Sequence, residues 1–226
     1  MNREVIVLDD PDAVAAEFAE RVVEAFHTRA QGSFSIALSG GPTARRCYER
    51  LANDSAEQID WWKVDVYWSD ERCVPPEHAD SNERLAREAL LERVGAANAV
   101  YPMRCEDGPD AYQQRIAHVG RIDLVHLGMG PDGHVASLFG NSEALAADPG
   151  RLVALNEDPA GTNPHPRMTL TLSGIARARL VLFTVTGGAK RAAFDAVRAG
   201  DSDCPAGRVD ADHVVWLVDR DAAGAR

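Results

Sequence analysis

Apolar residues in this chain gather into short, nearly unbroken runs, separated by longer stretches in which they recur about every fourth position. The runs cover residues 5–8, Phe34–Leu38, Val64–Trp68, Ile122–Leu127, 180–185 and 214–218. Near-continuous apolar character is the mark of strands covered on both faces, as in a parallel sheet under helices. Between the first two runs, Asp10-Pro11-Asp12 reads as a helix start, and Val14, Phe18, Val22 and Phe26 follow at four-residue spacing. A second helix is predicted after Ser39-Gly40-Gly41-Pro42-Thr43, reaching about Leu51. A capped helix from Asp80 or Ser81 carries Leu85, Ala89, Leu90 and Val94 on one face, and a weaker one spans 109–118. Ala189, Ala192, Ala193, Ala196 and Val197 mark the last helix, which Gly200 can close.

Strand–helix alternation of this kind predicts an α/β fold, a doubly wound and mainly parallel sheet flanked by helices on both faces, Rossmann-like in type. At 226 residues the chain is read as one domain, 1–226. Ligands of such sheets collect at the carboxyl edge. Four turns of unusual composition, 39–43, 69–72, 128–134 and 186–190, each follow a predicted strand and are expected to open on one rim. Residues 140–166, rich in Pro, Gly, Asn and Asp, read as either a lid over that rim or a mobile loop. The small-residue tail 221–226 reads as frayed.

A net charge of −11 with dispersed Lys and Arg argues against nucleic acid and anionic membrane surfaces as partners. The four cysteines, 47, 73, 105 and 204, have no CxxC spacing and no nearby His pair, so free thiols are expected, with neither a zinc site nor a disulfide frame. Residues 1–10 contain no apolar stretch of signal length, and no run reaches the ~18–20 residues of a membrane span, so a cytoplasmic location is expected.

Candidate chemistry concentrates in 128–139, Gly-Met-Gly-Pro-Asp-Gly-His-Val-Ala-Ser-Leu-Phe, directly after the most apolar run. Gly128, Gly130 and Gly133 permit a sharp bend and free N–H groups facing a ligand, and Asp132 is close enough to orient the His134 ring. His134 is therefore read as a base, against the alternative of a histidine with a merely satisfied hydrogen bond. Asp132 has its own alternative as a helix cap. The stretch is not read as a dinucleotide fingerprint, because no acidic residue stands on a second strand at the usual distance. Ser39, Gly40, Gly41 and Thr43 suit a phosphate at a helix start, unless Ser39 or Thr43 only caps the helix. Lys190 and Arg167 offer cations for a phosphate or carboxylate, or are plain surface residues; Asp70-Glu71-Arg72 is a charged outlet or an internal ion pair. His126, His27, His78, His118 and His213 are assigned to structure or surface, and Trp61-Trp62 to packing. No Gly-x-Ser-x-Gly elbow occurs, which removes the usual hydrolase nucleophile.

Taken together, Leu38-Ser39-Gly40-Gly41-Pro42-Thr43, Trp68-Ser69-Asp70-Glu71-Arg72-Cys73-Val74-Pro75, Asp80-Ser81-Asn82, residues 128–139, and Pro166-Arg167-Met168-Thr169 with Thr186-Gly187-Gly188-Ala189-Lys190 resemble the 6-phosphogluconolactonase family, and more loosely the related glucosamine-6-phosphate isomerases/deaminases. The deaminase branch carries a glutamate a few residues after its Gly-His pair, where this chain has Ala136-Ser137-Leu138-Phe139. Gly140 departs from the lactonase pattern, which usually continues with proline. The resemblance implies hydrolysis of 6-phospho-D-glucono-1,5-lactone with no metal or organic cofactor and no obligate protein partner. It implies His134 and Asp132 as the catalytic pair, and Ser39, Gly40, Gly41, Thr43, Asp70, Arg72, Asn82, Arg167 and Lys190 as binding residues. It leaves open which cation meets which end of the substrate. Two other readings stand beside it: an isomerase or deaminase in which Asp70 takes a C2 proton, and a sugar-phosphate sensor without turnover.

Overall fold

The computed structural model describes residues 2–29 and 32–225. In chain order it builds β1 (Asn2–Leu8), α1 (Pro11–Thr28), β2 (Phe34–Leu38), α2 (Pro42–Asp54), β3 (Val64–Trp68), β4 (Asp70–Arg72), α3 (Asn82–Ala86), β5 (Ala99–Val100), α4 (Gly108–Val119), β6 (Ile122–Leu127), β7 (Val153–Asn156), β8 (Arg167–Leu170), α5 (Leu172–Ile175), β9 (Ala178–Val185), α6 (Arg191–Ala199), β10 (His213–Asp219) and α7 (Arg220–Ala223). Helix starts follow the local chemistry: Asp10 accepts from the Ala13 N–H at 2.8 Å ahead of Pro11, and Ser81 accepts from Arg84 N–H at 3.1 Å. The third predicted helix is real but irregular, since a π-turn over Arg87–Leu91 continues α3.

Seven strands form one sheet in the order β1-β10-β9-β6-β2-β3-β5, every pair parallel. All five residues of β2 are buried, so both faces of the sheet centre are covered, as the unbroken apolar runs predicted. Among the described residues no helix is long and apolar enough to cross a membrane. The order reverses at β2: the chain proceeds outward to β3 and β5, then returns to lay β6 on the other side. Parallel neighbours whose continuations diverge leave a crevice at their carboxyl ends, here between Ser39 and Gly128.

Several expectations need correction. Residues 69–72 are no simple turn, and 140–166 is not wholly loop. β4, β8 and β7 form a three-stranded antiparallel sheet seated at the carboxyl ends of the large one, with Ser69 bridging the two: its N–H donates to Leu38 O at 2.7 Å, and its carbonyl accepts from Leu170 N–H at 2.8 Å. Residues 140–166 contribute β7 to it, and Leu145, Leu152 and Val153 are buried. The tail is ordered as far as the described residues reach, because Asp219 caps α7 through Ala222 N–H (2.8 Å) and Ala222 and Ala223 are buried; Arg226 lies outside the described residues. Two cysteines are not free thiols. Cys73 and Cys105 form a disulfide with Cα atoms 5.4 Å apart, a pairing that 32 residues of separation hid from local pattern, whereas Cys47 and Cys204 are buried and free. On α6 the inward anchor is Phe194 beside Ala193 and Val197, while Ala192 is exposed and Ala189 falls in the turn before the helix. Trp61 packs inside as expected, but Trp62 is 64% exposed.

Candidate active site

At the crevice the loop after β6 presents His134. Its Nδ1 lies 2.6 Å from Asp132 Oδ1, and the Phe139 ring sits 4.9 Å away, centroid to centroid. No helix follows this loop, so Asp132 is not a cap. The hydrogen bond to His134 holds the Asp132 carboxyl down to about 2, so it is ionised throughout the neutral range. A carboxylate on Nδ1 fixes the tautomer with a proton there and leaves Nε2 as the basic nitrogen.

The glycines of this loop act differently from expectation. Only Gly133 has a left-handed backbone, φ +82, and the N–H groups of Gly130 and Gly133 are used inside the loop, on His134 O (2.8 Å) and Gly130 O (3.1 Å). Gly130 matters for space: a Cβ there would stand 2.1 Å from His134 Nδ1 and 2.4 Å from Asp132 Oδ1. The glycine lets the pair lie against the backbone.

Facing it, the turn after β2 begins α2 with Gly41 at φ +92 and no side-chain cap. Neither Ser39 nor Thr43 therefore serves as a mere helix cap. Thr43 Oγ1 instead meets Thr186 Oγ1 at 2.8 Å, joining two strand outlets, and the Ser39 N–H donates to Tyr48 Oη at 2.7 Å. Tyr48 Oη in turn contacts His126 Nδ1 (2.8 Å), whose Nε2 meets Thr184 Oγ1 (2.9 Å). His126 is thus structural, as expected. Burial pushes it down to about 3, and it stays neutral.

The small sheet supplies the third wall. Arg72 and Arg167 are cross-strand partners on β4 and β8. Neither follows its carboxylate neighbours into an ion pair: Arg72 Nη1 donates to Asp80 O (2.6 Å) and Arg167 Nε to His165 O (3.1 Å). Desolvation lowers the Arg167 pKa from its ordinary value. Asp70 accepts from Ser137 Oγ (2.6 Å) and Asn82 Nδ2 (3.3 Å), and Glu71 from the backbone N–H groups of Arg72, Asn82 and Glu83, each at 2.7 Å. Glu71 thereby anchors the start of α3 and delivers Asn82 to the cleft. Two polar atoms of this wall, Arg72 Nε and Asn82 Oδ1, are buried with no hydrogen-bond partner. From the fourth side comes Lys190, half-buried, with Asp132 as its charged neighbour; burial is the larger influence and lowers its pKa. The Asp219 carboxylate holds the turn before it by accepting from Gly187 N–H at 2.8 Å.

These walls enclose a cleft of about 270 Å³. A family model described as glucosamine-6-phosphate isomerases/6-phosphogluconolactonase matches residues 9–216. The chain belongs to that family. Within this isomerase/lactonase family it is 36% identical to the 6-phosphogluconolactonase of Nostoc sp., over 100% of this chain and 98% of the relative, and 35% identical to that of Mycobacterium tuberculosis, over 99% and 98%. Its fold matches the 6-phosphogluconolactonase structures from Trypanosoma cruzi (TM-score 0.84, 27% identity, 99% of this chain and 97% of the other) and Thermotoga maritima (0.81, 29%, 96% and 100%). A monomeric glucosamine-6-phosphate deaminase shares the fold at TM-score 0.84 with 17% identity.

Of the residues the family resemblance pointed to, Ser39, Gly40, Gly41, Thr43, Asp70, Arg72, Asn82, His134, Arg167 and Lys190 all line the one cleft. Asp132 does not line it and reaches it only through His134. Asn163 and Thr184 line it without having been singled out. Asn163 is positioned by its side-chain hydrogen bond to Asp158 (2.8 Å), a loop device whose outcome depends on where the loop lands. Thr184 lies inside an apolar strand with its hydroxyl on His126 Nε2, so nothing local marks it as a cleft residue.

Proposed function

We propose that this protein hydrolyses 6-phospho-D-glucono-1,5-lactone to 6-phospho-D-gluconate, with His134 as general base and acid. The observation that carries this reading is the His134–Asp132 pair opening onto the same cleft as Arg72, Arg167 and Lys190. Neutral Nε2 takes a proton from a water as its oxygen adds to the lactone carbonyl carbon. The resulting imidazolium then gives that proton to the ring oxygen as the C1–O bond breaks, and His134 returns to its starting state. Ionised Asp132 stabilises the imidazolium and keeps Nε2 aimed at the cleft. Proton transfer of this sort contributes about 10² to 10⁴ in rate. The cations, the open N–H groups where α2 begins, and Ser39, Gly40, Gly41, Thr43, Asp70 and Asn82 hold the phosphate and hydroxyls, so that binding far from C1 places the carbonyl beside the water. The nearby Ala136 and Ser137 supply no carboxylate for amino-sugar chemistry, which favours the lactone over glucosamine 6-phosphate as substrate.

The test generates the lactone in situ, follows 6-phosphogluconate through its dehydrogenase, and subtracts spontaneous opening. His134→Ala lowers kcat by about 10² or more with KM little changed. Lys190→Ala mainly raises KM, by roughly 10- to 100-fold, the worth of a hydrogen bond to a charged group. Equal kcat for His134→Ala and the wild type removes the base. Ammonia release from glucosamine 6-phosphate points to the deaminase reading, and binding of 6-phosphogluconate with no turnover to a sensor.

A further inference from the structure

The lip of the cleft carries a set of donor atoms that lactone hydrolysis does not use. His78 and Asp80 lie in the loop that follows β4, and His165 lies two residues before Arg167 of β8. Because Arg72 and Arg167 pair across the small sheet, the two segments leave it side by side, and Cys73 N–H donates to Pro166 O at 2.8 Å. The side chains then converge. His165 Nε2 stands 3.0 Å and His78 Nδ1 3.7 Å from the same oxygen, Asp80 Oδ2, and all three donor atoms lie within 4.8 Å of one another. Among the described residues no other group of three His, Cys or carboxylate side chains meets that condition.

We infer that His78, Asp80 and His165 form a binding site for a divalent transition-metal ion, with zinc the best fit. Two imidazoles and one carboxylate make a borderline nitrogen-oxygen donor set, which suits zinc and its neighbours and offers too few oxygens for magnesium or calcium. Bonds of about 2.0–2.1 Å in tetrahedral geometry set donors about 3.3 Å apart, and the two distances to Asp80 bracket that value. The remaining pair closes by small rotations of the exposed His78 and Asp80 side chains, in which His78 Nδ1 gives up the hydrogen bond it accepts from Asp80 N–H at 3.1 Å. Water takes the fourth position. The backbone around the site is already held, with Asp80 O accepting from Arg72 and His165 O from Arg167. Coordination therefore requires little ordering of the chain, and an ion here clasps the 73–81 loop to the segment before β8.

The site is tested on the full chain with its disulfide intact and no thiol present, by titrating zinc chloride at pH 7.5 against a chromophoric zinc indicator and following the thermal midpoint in parallel. One zinc ion binds per chain and raises the midpoint, since a ligand of the folded state stabilises it by mass action. His78→Ala and His165→Ala each weaken binding by about tenfold or more, because loss of a direct ligand costs no less than loss of an outer-shell partner. In both variants the midpoint without zinc stays at the wild-type value, and its rise with zinc is lost. Excess magnesium chloride does not compete with zinc for these donors. Absence of stoichiometric binding at micromolar zinc overturns the inference. So does binding that both histidine variants retain, which would put the ion elsewhere on the chain.

Discussion

His134 owes its chemistry to three neighbours, each doing something different. Asp132 fixes the tautomer, Phe139 packs the ring from one side, and Gly130 leaves room for the pair against the backbone. Replacing Asp132 by Asn removes the charge that stabilises the imidazolium while preserving size. Asp132→Asn is expected to lower kcat by between about 10-fold and 10⁴-fold, the upper figure being the effect of the same change in a serine-protease triad, with KM nearly unchanged. Steady-state kinetics on the lactone check it, and a change confined to KM would assign Asp132 to binding. His134 was legible because a Gly-rich stretch after an apolar run gives a lone histidine few structural duties. Asn163 was not, because nothing local distinguishes an asparagine whose loop ends at the cleft from one whose loop ends in solvent.

The parallel strands and long helices follow from apolar spacing. The small antiparallel sheet does not, although it carries Asp70, Arg72 and Arg167. Its strands are three or four residues long, too short for any periodicity, and they exist because Ser69 splices them onto the large sheet. Packing between such pieces is tight. A Cβ on Gly40 would lie 1.7 Å from Asn82 Oδ1, and the Asn82 amide is held by the Asp70 carbonyl at 2.9 Å. Gly40→Ala forces either the turn or Asn82 out of place, an overpacking that costs about 1–3 kcal/mol. The expected outcome is a KM higher by roughly tenfold or more with a modestly lower thermal midpoint, read from kinetics and melting of one preparation; wild-type KM would detach Asn82 from the site. The Cys73–Cys105 bond ties the loop after β4 to the short turn before α4. Closing a loop of this separation is worth about 3 to 4 kcal/mol on the chain-entropy account. Cys105→Ser is therefore expected to lower the thermal midpoint under oxidising conditions and to abolish its sensitivity to dithiothreitol. Melting curves with and without reductant check this.

Across the molecule, one buried polar chain runs from Thr184 through His126 and Tyr48 to the Ser39 turn, so the sheet centre and the cleft share a titratable group. The unfolded chain binds a proton at His126 near 6.5, whereas the folded protein does so only near 3. Between those values the unfolded state holds more protons, and stability falls as pH drops through the window. A single proton sets a slope of up to about 1.4 kcal/mol per pH unit. His126→Gln is expected to flatten the dependence of unfolding free energy on pH from about 6.5 to about 3, as urea titrations at several pH values would show. An unchanged slope would place the acid sensitivity elsewhere.

Local pattern determined the α/β class, the six main strands and the cap at Asp10, because these follow from apolar spacing and cap chemistry, while the resemblance carried by motifs held within a few neighbours pointed to ten residues that end on one cleft. Which strands adjoin was settled only in three dimensions, where the reversal at β2 sets the Ser39 turn against the Gly128 loop. The pairing of Cys73 with Cys105, the small sheet, the ordered tail and the convergence of His78, Asp80 and His165 were settled there too. Each joins segments that are far apart along the chain. Its energy appears only after loop closure, which no short window of sequence records.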